Sequence, residues 1–233
     1  MNSITKPWAY DRRTVIALAL VLLVYPLAYC SGIMGRIIEP ILTDGSRLHW
    51  WLFWLTNLAF HLIPFFYVAR TMARAGESWQ TVGLDWSWFM RKRFWILGLI
   101  VLLVIASVLL PHAYYGNSLP DISGTVFMAP VSTAERLFVI AAAALVAITE
   151  EVLFRGFAIT RLQNALSSAT LAVLLPSLSF IFIHGTPDSW MAGLHYLIAA
   201  LAFSIPFVLL KFKRLEWLII IHFLIDASLV LAP

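Results

Sequence analysis

The chain has 233 residues, of which 61% are hydrophobic and 12% charged; a soluble domain carries about 45–50% apolar and about 25% charged residues, so a water-soluble globular class is excluded. The formal charge of +4 comes from basic residues in short clusters beside apolar runs, where membrane orientation accounts for them and no nucleic-acid partner is called for. The single cysteine, Cys30, lies inside the first apolar run, so no intramolecular disulfide is available.

Lys6, Arg12 and Arg13 precede the run Thr14–Met34. That run is longer than a secretory h-region, and "LAYC" puts a bulky tyrosine where a processing site needs a small residue, so an uncleaved first span is expected. Leu48–Ala69 and Trp190–Leu210 likewise exceed the roughly 18 residues of a spanning helix. With apolar runs at Phe94–Leu110, Leu137–Thr160, Ala165–Ile183 and Trp217–Ala232, the expectation is an all-α polytopic transmembrane bundle of about seven spans, forming one domain over 1–233. Basic residues gather before the first span, between the second and third (Arg70, Arg74, Arg91, Lys92, Arg93), after the fourth (Arg161) and before the seventh (Lys211, Lys213, Arg214). The alternation places the N-terminus in the cytoplasm. The connection Met72–Lys92 reads as an interfacial segment anchored by Trp79, Trp86 and Trp88, and His112–Ser132, rich in Gly, Pro and Ser, as an irregular outer loop.

Three acids remain inside apolar runs: Glu150, Glu151 and Asp226. Ionised groups at the centre of a bilayer cost about 2.5–3.5 kcal/mol each on insertion scales, so they face the bundle interior and mark function, or they lock helices together as ion pairs. Glu151 and Arg155 have the spacing and order of a helical ion pair and read as structural. Glu150 points about 100° away around an α-helix, its own i+4 neighbour is Phe154, and it needs a partner from another helix. His184 closes the fifth run one turn after Phe180. His222 and Asp226 share a face of the seventh.

Glu150, His184, His222 and Asp226 thus come from three spans. One carboxylate and two imidazoles suit water activation, proton transfer and oxyanion stabilisation, or the binding of a divalent metal such as zinc by Glu150, His184 and His222. The helix-borne HExxH pattern is absent. His49, His61, His112 and His195 read as structural; His61 and His195 lie within spans and have no acid near them in the sequence.

"EEVLFR" (Glu150, Glu151, Arg155), "FIFIH" (Phe180, His184) and "HFLID" (His222, Asp226) resemble, in order, the EExxxR, FxxxH and HxxxN/D motifs of the CAAX-protease and bacteriocin-processing (CPBP, Abi) family of intramembrane endopeptidases. The resemblance covers roughly Thr133 to Ala232; spans one to three, within 1–132, carry no motif. It implies a membrane-embedded peptidase, multi-pass in a bacterial cytoplasmic membrane, acting on a peptide or lipidated protein of the prenylated CAAX or bacteriocin type. In it Glu150 and His184 would activate water, His222 and Asp226 would cradle the oxyanion, and Glu151, Arg155 and Phe180 would support them. The family's site is similar to a metal-free, glutamate-type one, so no cofactor is expected, with zinc as the alternative. Prenyl-protein members have asparagine where Asp226 stands. The competing readings are a non-enzymatic immunity or scaffold protein and, last, an ion-coupled transporter, for which matching repeats are missing.

Overall fold

In the computed structural model of the protein the described residues are 11–85 and 130–231. They are helical, with no strand among them. Among the described residues four helices are long and apolar enough to cross a membrane: Arg12–Asp44, Arg47–Arg74, Thr133–Leu166 and Trp190–Leu209. These agree with the first, second, fourth and sixth expected spans. The fifth is the shorter apolar helix Ala169–His184, whose last turn, Phe182–His184, is a 3-10 turn. The seventh is the 17-residue helix Leu215–Leu231. The third expected span, Trp86, Trp88 and most of the outer loop, His112 included, lie outside the described residues.

Helix starts follow local chemistry. Ser46, Ser132, Ser168 and Ser189 each cap a helix by accepting from a backbone N–H in its first turn, which satisfies donors that a helix leaves without intrahelical partners. At Ser132 the cap is reciprocal, because the Glu135 carboxylate accepts from the Ser132 backbone N–H. Glu135 also pairs with Arg47 at 2.6 Å, fastening the start of the Thr133–Leu166 helix to the start of the second span.

The Thr133–Leu166 helix is the hub. Its middle, Glu151–Ile159, is a π-helix with every residue buried. The first, second, fifth and last helices pack around it. Tyr25, Val68, Phe154, Phe157 and Phe180 share one apolar cluster, whereas Val152, Ile159, Val173, Phe207 and Leu218 share another on the opposite side. At Gly156 the packing is close: a Cβ there would stand 2.9 Å from the Val82 carbonyl oxygen and 3.0 Å from Leu215 Cδ2. The π-segment surrounds this contact, and π-turns inside α-helices are frequent at functional positions. Thr160 Oγ1 donates to the Gly156 and Phe157 carbonyls at 2.6 and 3.0 Å, taking up carbonyls at the end of the widened turn.

The connection after the second span is clamped to the same end of the bundle. Trp79 opens a short 3-10 turn, Trp79–Val82, and stacks on Phe65 at 5.9 Å. Glu77 pairs with Arg161, the Gly83 carbonyl accepts from Leu215 N at 3.0 Å, and Glu216 accepts from Asp85 N at 3.3 Å. Arg161, read from the sequence as an orienting charge after the fourth span, is in fact buried; its side chain ties the hub helix to this connection.

Candidate active site

The hub helix delivers Glu150 and Glu151 at the junction of its α- and π-segments. Glu150 is 3% exposed and Glu151 fully buried. Hydrogen bonds in the π-segment run i→i+5, so successive side chains are separated by less than the 100° of an α-helix. The two carboxylates do not point to unrelated sides, as an α-helical wheel suggests; both meet His222 from the last helix.

His222 Nδ1 lies 2.9 Å from Glu151 Oε1. The carboxylate accepts that N–H, which fixes the ring and leaves Nε2 on the far side. Nε2 is 3.6 Å from Glu150 Oε2 and 3.5 Å from Asp226 Oδ2. The expected pairing of His222 with Asp226 is therefore present, and Glu151, expected to be structural, also orients the site histidine. A carboxylate behind an imidazole performs the same service in many catalytic sites.

Arg155 neutralises the buried Glu151. Its Nη1 donates to Glu151 Oε1 at 3.1 Å, Nη2 donates to the Ala200 carbonyl at 3.3 Å, and the guanidinium lies 4.3 Å from the Phe180 ring centroid and 5.4 Å from that of Phe203. Flat cations gain from such aromatic faces when desolvated. Phe180 thus covers Arg155 from the fifth helix, and Phe203, 5.4 Å from the His222 ring, covers both from the sixth.

His184 stands at the end of the fifth helix with its Nδ1 donating to the Phe180 carbonyl at 3.3 Å and its ring stacked on Tyr196 at 4.5 Å. His184 lies within electrostatic range of His222, His61 and Arg155. Among the described residues it makes no hydrogen bond or ion pair with Glu150, His222 or Asp226. Burial falls from Glu150 through His222 and Asp226 to the exposed His184, which describes a polar crevice with the carboxylate at its floor. Buried Oε2 atoms of Glu150 and Glu151 accept no hydrogen bond among the described residues.

Among the described residues no group of three or more His, Cys, Asp or Glu side chains is arranged to hold a metal ion. His222 bonds Glu151 through Nδ1 and keeps Nε2 as the nitrogen a metal would take, whereas among the described residues His184 makes no hydrogen bond or ion pair with the other two residues of the alternative zinc set.

His61 corrects the sequence reading. It has an acid beside it after all, because its Nδ1 is 3.7 Å from Glu150 Oε1, and it is buried. Sequence distance concealed the contact; the pointer that was there is a polar pair, Asn57 and His61, on one face of an otherwise apolar span. His49 bonds Ser46 Oγ at 2.9 Å, and His195 is exposed.

Residues 132–228 match the family model described as type II CAAX prenyl endopeptidase Rce1-like. No curated protein and no solved structure matches the chain. The matched segment contains all three motifs and the crevice built from them, in an integral membrane protein. Over residues 132–228 the chain is thus similar to a type II CAAX prenyl endopeptidase Rce1-like domain, which is consistent with an intramembrane peptidase of the CPBP family.

Proposed function

We propose that the protein hydrolyses a peptide bond of a prenylated, CAAX-type protein by direct attack of water, with Glu150 as the base. The observation that carries this reading is the Glu150 carboxylate: buried, its Oε2 bonded to nothing among the described residues, and 3.6 Å from His222 Nε2. An oxygen so placed can accept a proton from water held in the crevice, within the reach general-base catalysis needs.

In this mechanism a carbon–oxygen bond forms between water and the scissile carbonyl as one water proton passes to Glu150. His222, in its doubly protonated form with Nδ1–H held by Glu151 and Nε2–H turned to the oxyanion, steadies the tetrahedral intermediate together with Asp226. The carbon–nitrogen bond then breaks as that proton is delivered to the leaving nitrogen, and His184, at the open end of the crevice, assists proton movement. Asp226 donates to the oxyanion only in its protonated form; ionised, it repels the developing charge.

An apolar groove of about 790 Å³ between the first and fifth helices supports a lipidated substrate; Leu22, Pro26, Leu27, Leu175, Leu178 and Phe182 are among the residues lining it. Its lining takes in Phe182, two residues before His184, and Thr186, two residues after it. Tyr25 and Tyr29 of the same first helix turn inward to the site while Pro26 and Leu27 face the groove, so a prenyl chain lying there would carry its peptide toward the crevice. Comparative proteomics of membranes from cells with the wild type or Glu150→Ala tests the reading: a prenylated protein should accumulate uncut only with the variant, and identical membrane proteomes would contradict it.

A further inference from the structure

The Glu150 carboxylate has a polar neighbour outside the matched domain. His61 of the second span is 3% exposed and sits 3.7 Å from Glu150 Oε1. Both of its ring nitrogens are occupied. Tyr25 bonds Nδ1 through its hydroxyl; Nε2 is 3.1 Å from the Tyr29 oxygen. Tyr29 gives its one proton to Asn57 Oδ1 at 2.7 Å, so its oxygen accepts from His61 Nε2–H, and Nδ1 accepts from Tyr25. Phe154 and Phe60 pack against the tyrosines at 5.9 and 5.2 Å. The ring of His61 therefore has one tautomer and one orientation.

Interhelical glue explains why Tyr25 and Tyr29 of the first helix bond to His61 and Asn57 of the second. It does not explain why the chain Asn57–Tyr29–His61–Tyr25 ends against the one site carboxylate whose other oxygen faces His222. We propose that His61 is a positioning residue for Glu150. The imidazole stands at packing distance from Oε1 and does not bond it, so it prevents the carboxylate from turning away while leaving its lone pairs to water. His222 bounds the other oxygen. The carboxylate is held between two imidazoles, one from the Rce1-like domain and one from the spans before it, and Tyr25, Tyr29 and Asn57 act through His61. The inference rests on the reading of Glu150 as the base.

The test compares wild type, His61→Leu, His61→Gln, Tyr29→Phe and His61→Leu/Tyr29→Phe as full-length protein in liposomes, with a farnesylated CAAX peptide as probe. Loss of positioning by about 1 Å can cost on the order of 10²-fold in rate. His61→Leu should thus lower kcat per folded molecule by about 10- to 100-fold with KM unchanged, His61→Gln should recover part of it, and Tyr29→Phe should add nothing to His61→Leu. A purely structural role would lower the unfolding temperature and leave kcat per folded molecule alone. A second readout is independent of cleavage: the carboxyl carbon resonance of Glu150 in bilayers, assigned by its loss in Glu150→Gln, should move in His61→Leu and Tyr29→Phe and stay in His195→Leu. If wild type fails to cut the peptide, the substrate reading falls and the resonance decides the positioning role. An unmoved resonance, or additive losses in the double variant, overturns it.

Discussion

The Nδ1 of His222 lies 2.9 Å from Oε1 of Glu151, and that same oxygen accepts from Arg155 at 3.1 Å. One buried acid thus orients an imidazole and neutralises a guanidinium. Glu151→Gln removes the charge from both. An uncompensated buried charge costs about 3–5 kcal/mol, so the variant should lose that much stability, read from the shift of the unfolding midpoint in detergent. Adding Arg155→Met should return part of it, because the stranded cation is gone; a double variant less stable than Glu151→Gln would refute the charge argument.

Asp226 stands 3.5 Å from His222 Nε2. If it serves the oxyanion as a donor, Asp226→Asn keeps that donor without needing a proton, and cleavage of a farnesylated CAAX peptide should be retained or increased. Complete loss of cleavage by a folded Asp226→Asn protein would instead assign Asp226 the task of accepting a hydrogen bond from His222.

Gly156 leaves no space for a methyl group, since the Val82 carbonyl and Leu215 press on it. The Val82 oxygen belongs to backbone and cannot swing aside. Overpacking of this kind costs about 1–3 kcal/mol. Gly156→Ala should therefore lower the unfolding midpoint and, by shifting the π-segment that carries Glu151, lower cleavage as well. A variant with wild-type stability would show that the 79–82 turn yields freely.

The metal-free reading of the site has a direct assay. Incubating purified protein with a strong chelator, followed by gel filtration into chelated buffer, should leave peptide cleavage unchanged. Loss of cleavage that added zinc restores would reinstate the metal alternative at Glu150, His184 and His222.

Much of this site stood out in the sequence because acids are conspicuous among apolar residues: Glu150, Glu151 and Asp226 could be placed on spans, and the spacing of Arg155 and His222 supplied two true contacts. His61 stayed hidden. A histidine in an apolar run has no neighbour in the sequence that reports an acid almost ninety positions later, and its contacts with Tyr25, Tyr29 and Glu150 exist only once three helices meet. The π-segment was equally invisible, since it accompanies close packing around Gly156 and not any local propensity of "EVLFRGFAI". Span lengths read well where apolar runs were long. The fifth came out shorter because Ser167, at φ 50°, breaks the helix inside the expected run, so that the fifth starts at Ala169.

The central claim is that Glu150 takes the proton of the attacking water. The measurement that bears on it most directly is the kcat of purified Glu150→Gln in liposomes against a farnesylated CAAX peptide, beside its unfolding temperature. General-base catalysis contributes about 10²–10⁴-fold, so the glutamine variant should lose at least about a hundredfold in kcat while remaining folded. A folded Glu150→Gln protein that cuts the peptide at the wild-type rate would contradict the account.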